Sequence, residues 1–363
     1  MNDGEFKVMG MAAYGEPKHI DRIKKLYRSH VDGSIALNLS YFAFHRSAKH
    51  MYTSKFSELF HPCSPYDLAA SMQKVAEEII LEMMVKVART TGEKNLVFSG
   101  GVALNSVVNG LAVRKTPFTN IFIYPAAGDD GGSVGSALYV YHHVLGNKKR
   151  KGMTDVFLGP SYSKAECIKA MKSNRLKYRE LAGARLLHYV SSQLMRGKVV
   201  GWFEGRSEFG PRALGHRSIL ADPRRAGMKD IVNARIKFRE EFRPFAPVIL
   251  QKHVNRYYSY SQKNLVPYML GTFKASKLAK RNIPAVVHDD GTSRIQVVDP
   301  KTYPGRYAKL LAAFYKKTHV PVLLNTSFNL KGEPIVQTPA DAISTFMRSG
   351  LDILVLENFV ITK

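Results

Sequence analysis

Between residues 95 and 146 the chain writes strand, glycine loop and helix twice in succession, and few folds accommodate that order. NLVFSGGVALN reads as a buried strand running into Gly100 and Gly101, with a helix through about Arg114. NIFIYP is a second strand, AAGDDGG a second loop holding Gly131 and Gly132, and SVGSALYVYHHVLG a second helix. This is the layout of an α/β nucleotide site, because loops at strand ends present backbone N–H groups and helix N-termini favour anions. The glycines would let phosphates approach the backbone, and Asp129 and Asp130 could hold a cation near those phosphates. The same glycines would also serve as tight turns in an α/β core.

A second stretch, GWFEGRSEFGPRALGHRSILADPRRAGMKDIVNARIKFREEFRPFAP, runs from Gly201 to Pro247. Its centre is basic, yet it is punctuated by Gly210, Pro211 and Gly215 and carries Ala-Leu and Ile-Leu pairs that should draw the loop against a core. Arginines held on such a loop are rigid donor forks suited to phosphate or carboxylate. IKFREEFRPFAP is expected to place Lys237, Glu241, Arg239 and Arg243 at helical spacings until Pro244 stops the helix. An ordinary salt-bridged helix beside a basic loop is the plainer alternative.

Elsewhere the pattern predicts a short basic helix within 19–30 and no clean period over 31–63. PYDLAASMQKVAEEIILEMMVKVARTTG should be a helix capped by Ser64, begun by Pro65 and ended by Gly92. Helices near 163–173 and 182–196 precede the strand KVVGWF; later come HDDGTSRIQVV, the strand VPVLLNTSFNLKGEPIV, a helix from Pro339 to about Ser349, and a closing strand DILVLENFVITK. Asn325, Thr326, Ser327 and Asn329 end an apolar strand as a cluster of short donors and acceptors suited to a small ligand. His45 and His50 match no metal-ligand spacing and read as surface or packing residues.

Charge divides the chain. Residues 1–146 carry 15 Lys and Arg against 13 Asp and Glu, whereas 147–363 carry 39 against 16, nearly all of the net +25. A polyanion such as nucleic acid would be attracted to the second part; arginines for small phosphorylated substrates, with the remainder keeping the surface soluble, are the alternative. GNKKRKG at 146–152 reads as a linker, giving expected domains 1–146 and 147–363. Two cysteines in 363 residues argue against a disulfide framework and for a reducing, cytoplasmic setting. No apolar run reaches membrane-spanning length, and MNDGEFK lacks a signal-peptide core.

The segments KVMGMAAYGEP, FSGGVALN, PAAGDDGGSVGSAL, GRSEFGPRALGHRSILADPR, NARIKFREEFRPFAP, DGTSRIQVV and LLNTSFNLKGEPIV, in this order, resemble the O-carbamoyltransferases of antibiotic and nodulation-factor biosynthesis. The resemblance covers nearly the whole chain. It implies an α/β protein in which a partial ASKHA-like (actin/hexokinase-type) domain is followed by a YrdC-like domain. It further implies a two-step reaction: carbamoyl phosphate and ATP yield a carbamoyl adenylate, and the carbamoyl group then passes to a hydroxyl. By motif position, Arg212, Lys237, Arg243, Arg294 and Ser327 would bind carbamoyl phosphate and the adenylate, and Asn325 would orient the carbamoyl amide. Cationic forks at such a site neutralise charge on transferring and leaving phosphate oxygens.

Gly100, Gly101, Asn105, Gly131 and Gly132 resemble the family's nucleotide-loop positions. Asp129 corresponds to a metal-binding aspartate, the family metal being iron, with Mg2+ a further candidate. Family members carry a histidine pair well upstream of KVMGMAAYGEP; residues 1–60 offer no replacement, so a partner chain supplying it is one expectation. The acceptor is expected on a nucleic acid, for example a hydroxymethylated pyrimidine such as 5-hydroxymethylcytosine. A small hydroxyl-bearing metabolite is the first alternative. A nucleotide- and nucleic-acid-binding subunit that needs a partner for transfer is the second.

Overall fold

The computed structural model describes residues 4–30, 32–260 and 264–363 as mixed α/β. It divides into two compact units, Met1–Leu96 with Val107–Asn120, and Val97–Ser106 with Ile121–Lys363. The two glycine loops therefore fall in the same unit as the basic C-terminal residues. Among the described residues no helix is long and apolar enough to cross a membrane.

The first unit is built on the helix Pro65–Thr91, whose limits follow the sequence signals. Pro65 occupies the first turn, where its missing N–H costs nothing, and Gly92 takes the left-handed conformation (φ 69°) that closes the C-terminus. Ser64 stands at the N-cap in extended conformation, but its side chain makes no capping bond. The opening segment is sewn to this helix: Asp67 Oδ1 accepts the Glu16 N–H (2.9 Å), and Ser71 Oγ accepts the His19 N–H (2.9 Å). The 19–30 region is helical only over Ile20–Lys24 before the strand Tyr27–Ser29 pairs with Ile35–Leu37. Ser54–Phe60 is a helix within the stretch that shows no clean period. His45 and His50 are both exposed.

One expectation fails. The strand Asn95–Phe98 is not buried: Val97 is 74 % exposed, and the strand forms a two-stranded sheet with Asn120–Ile123. A short apolar run becomes a buried strand only where layers cover both faces, a tertiary condition.

The second unit holds an eight-stranded sheet with strands β1 (Arg179–Glu180), β2 (Val200–Phe203), β3 (Arg217–Ala221), β4 (Ala246–Leu250), β5 (Gln296–Val298), β6 (Val322–Ser327), β7 (Ile353–Leu356) and β8 (Phe359–Thr362). Their spatial order is β5-β4-β6-β3-β2-β7-β8-β1. Only the β4–β5 and β2–β7 pairs are parallel. The last two strands form a hairpin turning at Glu357 (φ 53°) and Asn358, where a single closing strand is expected from DILVLENFVITK.

Residues alternate between two cores. Val200, Trp202, Leu220, Leu323 and Val355 pack with the helices Gly183–Met195 and Tyr307–Thr318. Phe203, Ile219, Leu324 and Leu354 belong to the other core, with Cys167, Met171, Ile343 and Phe346 of the helices Lys164–Ser173 and Pro339–Arg348. Covering both faces makes the central strands continuously apolar, each large side chain contributing about 2 kcal/mol. Cys63 and Cys167 are both free.

Candidate phosphate-binding site

Sheet direction gathers the basic residues. β6 runs antiparallel to both β3 and β4, so its C-terminal end, Ser327, lies beside the starts of those strands. β5 is parallel to β4, which brings Arg294, just before Gln296, to the same end. β2 is antiparallel to β3 and delivers the loop 204–216 there as well. Arg212 on that loop, Arg294 and Ser327, remote in sequence, thus meet at one end of these strands.

Lys237 does not arrive on a helix that continues to Pro244, as the spacing predicts. The helix Met228–Val232 loosens into a π turn over Asn233–Lys237 and stops at Phe238, which is left-handed (φ 46°). Asn233, fully buried, explains the break: its Oδ1 accepts from Arg239 Nε (2.8 Å) and its Nδ2 donates to the Arg243 carbonyl (3.2 Å). These bonds replace the helical ladder and fold residues 239–243 back.

The Lys237 ammonium is buried among four acceptors: the Ser327 carbonyl, Ser327 Oγ (3.2 Å), the Asn329 carbonyl (3.0 Å) and Asn329 Oδ1 (2.6 Å). Burial, with Arg239 and Arg243 nearby, pushes it well below the ordinary lysine range. Burial and the neighbouring Arg212, Arg239 and Arg243 hold Arg294 well below the arginine range. Arg239 is lowered to about 9 by burial and Arg243, and Arg212 to about 10 by burial. The Nε atoms of Arg212 and Arg294 are buried without hydrogen-bond partners. Glu240, 3.9 Å from Arg243 and 4.0 Å from Lys331, supplies a carboxylate at the margin. Burial and neighbouring arginines depress Lys237, Arg239 and Arg294, and Arg212 and Arg294 keep unused buried donors, so the cluster is a site that an anion would stabilise.

Other cations of the same stretch serve the fold. Arg206 donates to the Gly159 (2.8 Å) and Leu158 (2.7 Å) carbonyls, and Arg224 pairs with the buried Asp222 at 2.7 Å. Arg217, fully buried, donates to the Glu204 carbonyl (2.8 Å) and lies 3.6 Å over the Phe203 ring. Residue type alone does not separate these from Arg212.

Asn325, buried in β6, donates through Nδ2 to the Ala213 carbonyl (3.1 Å) and Gln296 Oε1 (2.9 Å), and its Oδ1 is a buried acceptor without a partner. Gln296 Nε2 in turn donates to the Leu214 carbonyl (2.7 Å), and Tyr307 OH to Gln296 Oε1 (3.1 Å). Ser327 and Asn329 line a cleft of about 440 Å3 with Ser207, Glu208 and Pro211. Asn233, Gln296 and Glu208 are residues that motif positions did not single out, and only the folded loops reveal them; Arg239 is named in the basic stretch but not among the phosphate ligands.

Both glycine loops lie in the same unit. The Gly100 N–H donates to the Ala127 carbonyl (2.8 Å), tying the loops together. Gly100 has φ 100°, and a Cβ at Gly101 or Gly132 would meet nothing within 4 Å. Gly131 differs, since a Cβ there would lie 2.0 Å from the Ala126 carbonyl oxygen. Asn105 caps the turn Gly101–Leu104. Asp129 and Asp130 are exposed.

Two family models match the chain, carbamoyltransferase N-terminus over residues 1–138 and carbamoyltransferase C-terminus over 191–363. The chain belongs to the carbamoyltransferase family. Among curated relatives, an uncharacterized protein of Synechocystis sp. is 42 % identical over 100 % of this chain and 64 % of its own length. Nodulation protein NolO of Bradyrhizobium diazoefficiens is 35 % identical over 99 % of this chain and 66 % of its own. The chain thus spans less than two thirds of the length of these relatives. A solved structure of full-length HypF in a phosphate- and nucleotide-bound form covers 52 % of this chain and 23 % of its own, at 16 % identity and a TM-score of 0.34.

The iron implied by the resemblance does not fit the residues present. Among the described residues no group of three or more His, Cys, Asp or Glu side chains is placed to hold a metal ion, and Asp129 is exposed.

Proposed function

We propose that the protein is an O-carbamoyltransferase that forms a carbamoyl adenylate from carbamoyl phosphate and ATP and passes the carbamoyl group to a hydroxyl. The mutually repelling cluster of Arg212, Lys237, Arg239, Arg243 and Arg294 carries this reading. In it, these cations bind phosphate and polarise it, which favours charge developing on the leaving oxygen. Lys237, held by Ser327 and Asn329, places an ammonium at the end of β6. The carbamoyl group carries an NH2 donor, and Asn325 Oδ1 is the acceptor left for it. In the transfer step the acceptor hydroxyl oxygen bonds to the carbamoyl carbon, the bond to the AMP phosphate oxygen breaks, and the hydroxyl proton leaves to a base.

In this proposal 147–363 forms the adenylate, as a YrdC-like domain, and 1–146 contributes the ASKHA-like part, whose glycines 100, 101, 131 and 132 with Asn105 would receive nucleotide. No step is routed through a metal. The test is carbamoyl phosphate-dependent consumption of ATP, with Arg212→Ala as control; ATP consumed equally by both proteins would overturn the assignment.

The charge excess of residues 147–363 favours a nucleic-acid acceptor. Nucleosides of DNA or RNA containing 5-hydroxymethylcytosine, incubated with carbamoyl phosphate and ATP, would then gain one carbamoyl group by mass spectrometry. A gain on small hydroxyl compounds only would assign the alternative acceptor.

A further inference from the structure

We propose that Glu208 is the positioning residue for Arg212, an inference that rests on reading Arg212 as a phosphate ligand. Glu208 Oε1 accepts three backbone N–H groups: Leu214 (2.8 Å), His216 (2.8 Å) and Arg217 (3.2 Å). The loop from Glu208 to Arg217 is thereby closed onto its own first residue, with Arg212 between the two tied ends. Closure needs this help. Gly210 (φ 124°) and Gly215 (φ 119°) sit in conformations open to glycine, and such positions leave a loop many alternatives. Asn325 and Gln296 hold the Ala213 and Leu214 carbonyls, on the C-terminal side of Arg212. Glu208 provides the matching anchor from the N-terminal side.

Its chemistry separates positioning from charge balance. An acid serving to neutralise the cluster would sit on a guanidinium, but among the described residues Glu208 forms no ion pair and spends one oxygen on amides. Charge-assisted bonds to backbone N–H are about twice as strong as neutral ones, so three on one oxygen fix the loop firmly. Arg212 is then presented with its fork pre-oriented, and little further ordering accompanies anion binding.

The experiment measures binding of inorganic phosphate by calorimetry, with thermal unfolding alongside, for wild type, Glu208→Ala, Glu208→Gln, Glu208→Asp, Arg212→Ala and the Glu208→Ala/Arg212→Ala double variant. Glu208→Ala should weaken phosphate on the order of tenfold, as expected when an oriented group is released. Glu208→Gln, which keeps an oxygen acceptor in place, should stay within about threefold of wild type. In the Arg212→Ala background Glu208→Ala should have little further effect, because the carboxylate acts through the arginine. Where Glu208→Ala does not fold, Glu208→Asp, which retracts the oxygen by one methylene, takes its place in the cycle. Equal weakening in both backgrounds, or unchanged affinity in Glu208→Ala, would overturn the proposal. Wild type that takes up no phosphate at the cluster would overturn the reading of Arg212 itself, and this inference with it.

Discussion

The two loop regions of the second unit are held in opposite ways. The loop 208–217 is tied through backbone at residues 213 to 217 by Glu208, Asn325 and Gln296, and its arginine is presented with a buried, unused donor. The glycine loops at 99–105 and 125–132 are open: Gly101 and Gly132 face empty space, and both aspartates are exposed. A site that binds phosphate with guanidinium groups must fix long, entropy-rich side chains beforehand, whereas a loop that binds through backbone N–H groups needs only to be unobstructed. The difference separates a preorganised charged cluster from a permissive surface.

The largest effect expected from this contrast is on activity. Arg212→Ala or Arg294→Ala should lower carbamoyl phosphate-dependent ATP consumption by about 100-fold, the scale of removing one preorganised charge-stabilising donor, while Asp130→Ala, at an exposed residue of the second glycine loop, leaves that step unchanged. Equal losses in both regions would erase the distinction.

The next effect is steric. Gly131→Ala places a Cβ 2.0 Å from the Ala126 carbonyl oxygen, and chemical denaturation should show a loss of about 2 kcal/mol, the range for overpacking. Gly132→Ala, one residue on and in open space, should change stability by less than about 1 kcal/mol.

Alkaline titration tests the cluster more finely. Burial depresses Lys237, and burial with Arg243 depresses Arg239 to about 9. Phosphate affinity should therefore fall as pH rises toward about 9, where Arg239 begins to lose charge. The linkage sign is opposite for the ligand-free fold. Above the depressed value of Arg239 the unfolded chain binds more protons than the folded one, so the penalty from burial and repulsion at Arg239, fully present below about 9, is relieved as pH rises. Affinity and ligand-free stability moving in the same direction would contradict the cluster.

A smaller expected effect is the stabilisation by phosphate at neutral pH, about 1.4 kcal/mol of linkage at 10 times Kd. It should be halved or less in Arg294→Ala.

Much of this arrangement is legible before folding is considered. Pro65 and Gly92 delimit their helix because each has a backbone property that does not depend on neighbours. Arg212, Lys237, Arg243, Arg294 and Ser327 are identified by motif, and strand direction carries Arg212, Arg294 and Ser327 to one end of the strands. What the sequence does not reveal depends on contacts with remote residues. The exposure of Val97 is decided by what covers the strand, not by its apolar letters. The turn at Glu357 and the break at Phe238 override patterns that read as a continuous strand and helix, because buried partners such as Asn233 outweigh local propensity.

The sequence by itself determined the alternation of elements, the family and the residue types that can meet a phosphate. Only the tertiary structure decided which arginines are spent on carbonyls and which join the cation cluster, since the same guanidinium serves either use. That choice follows from burial and partners: the Nε atoms of Arg212 and Arg217 are both buried without a partner, but the terminal nitrogens of Arg217 donate to backbone oxygens and its guanidinium lies over the Phe203 ring, while Arg212 stands among the cations around Arg294.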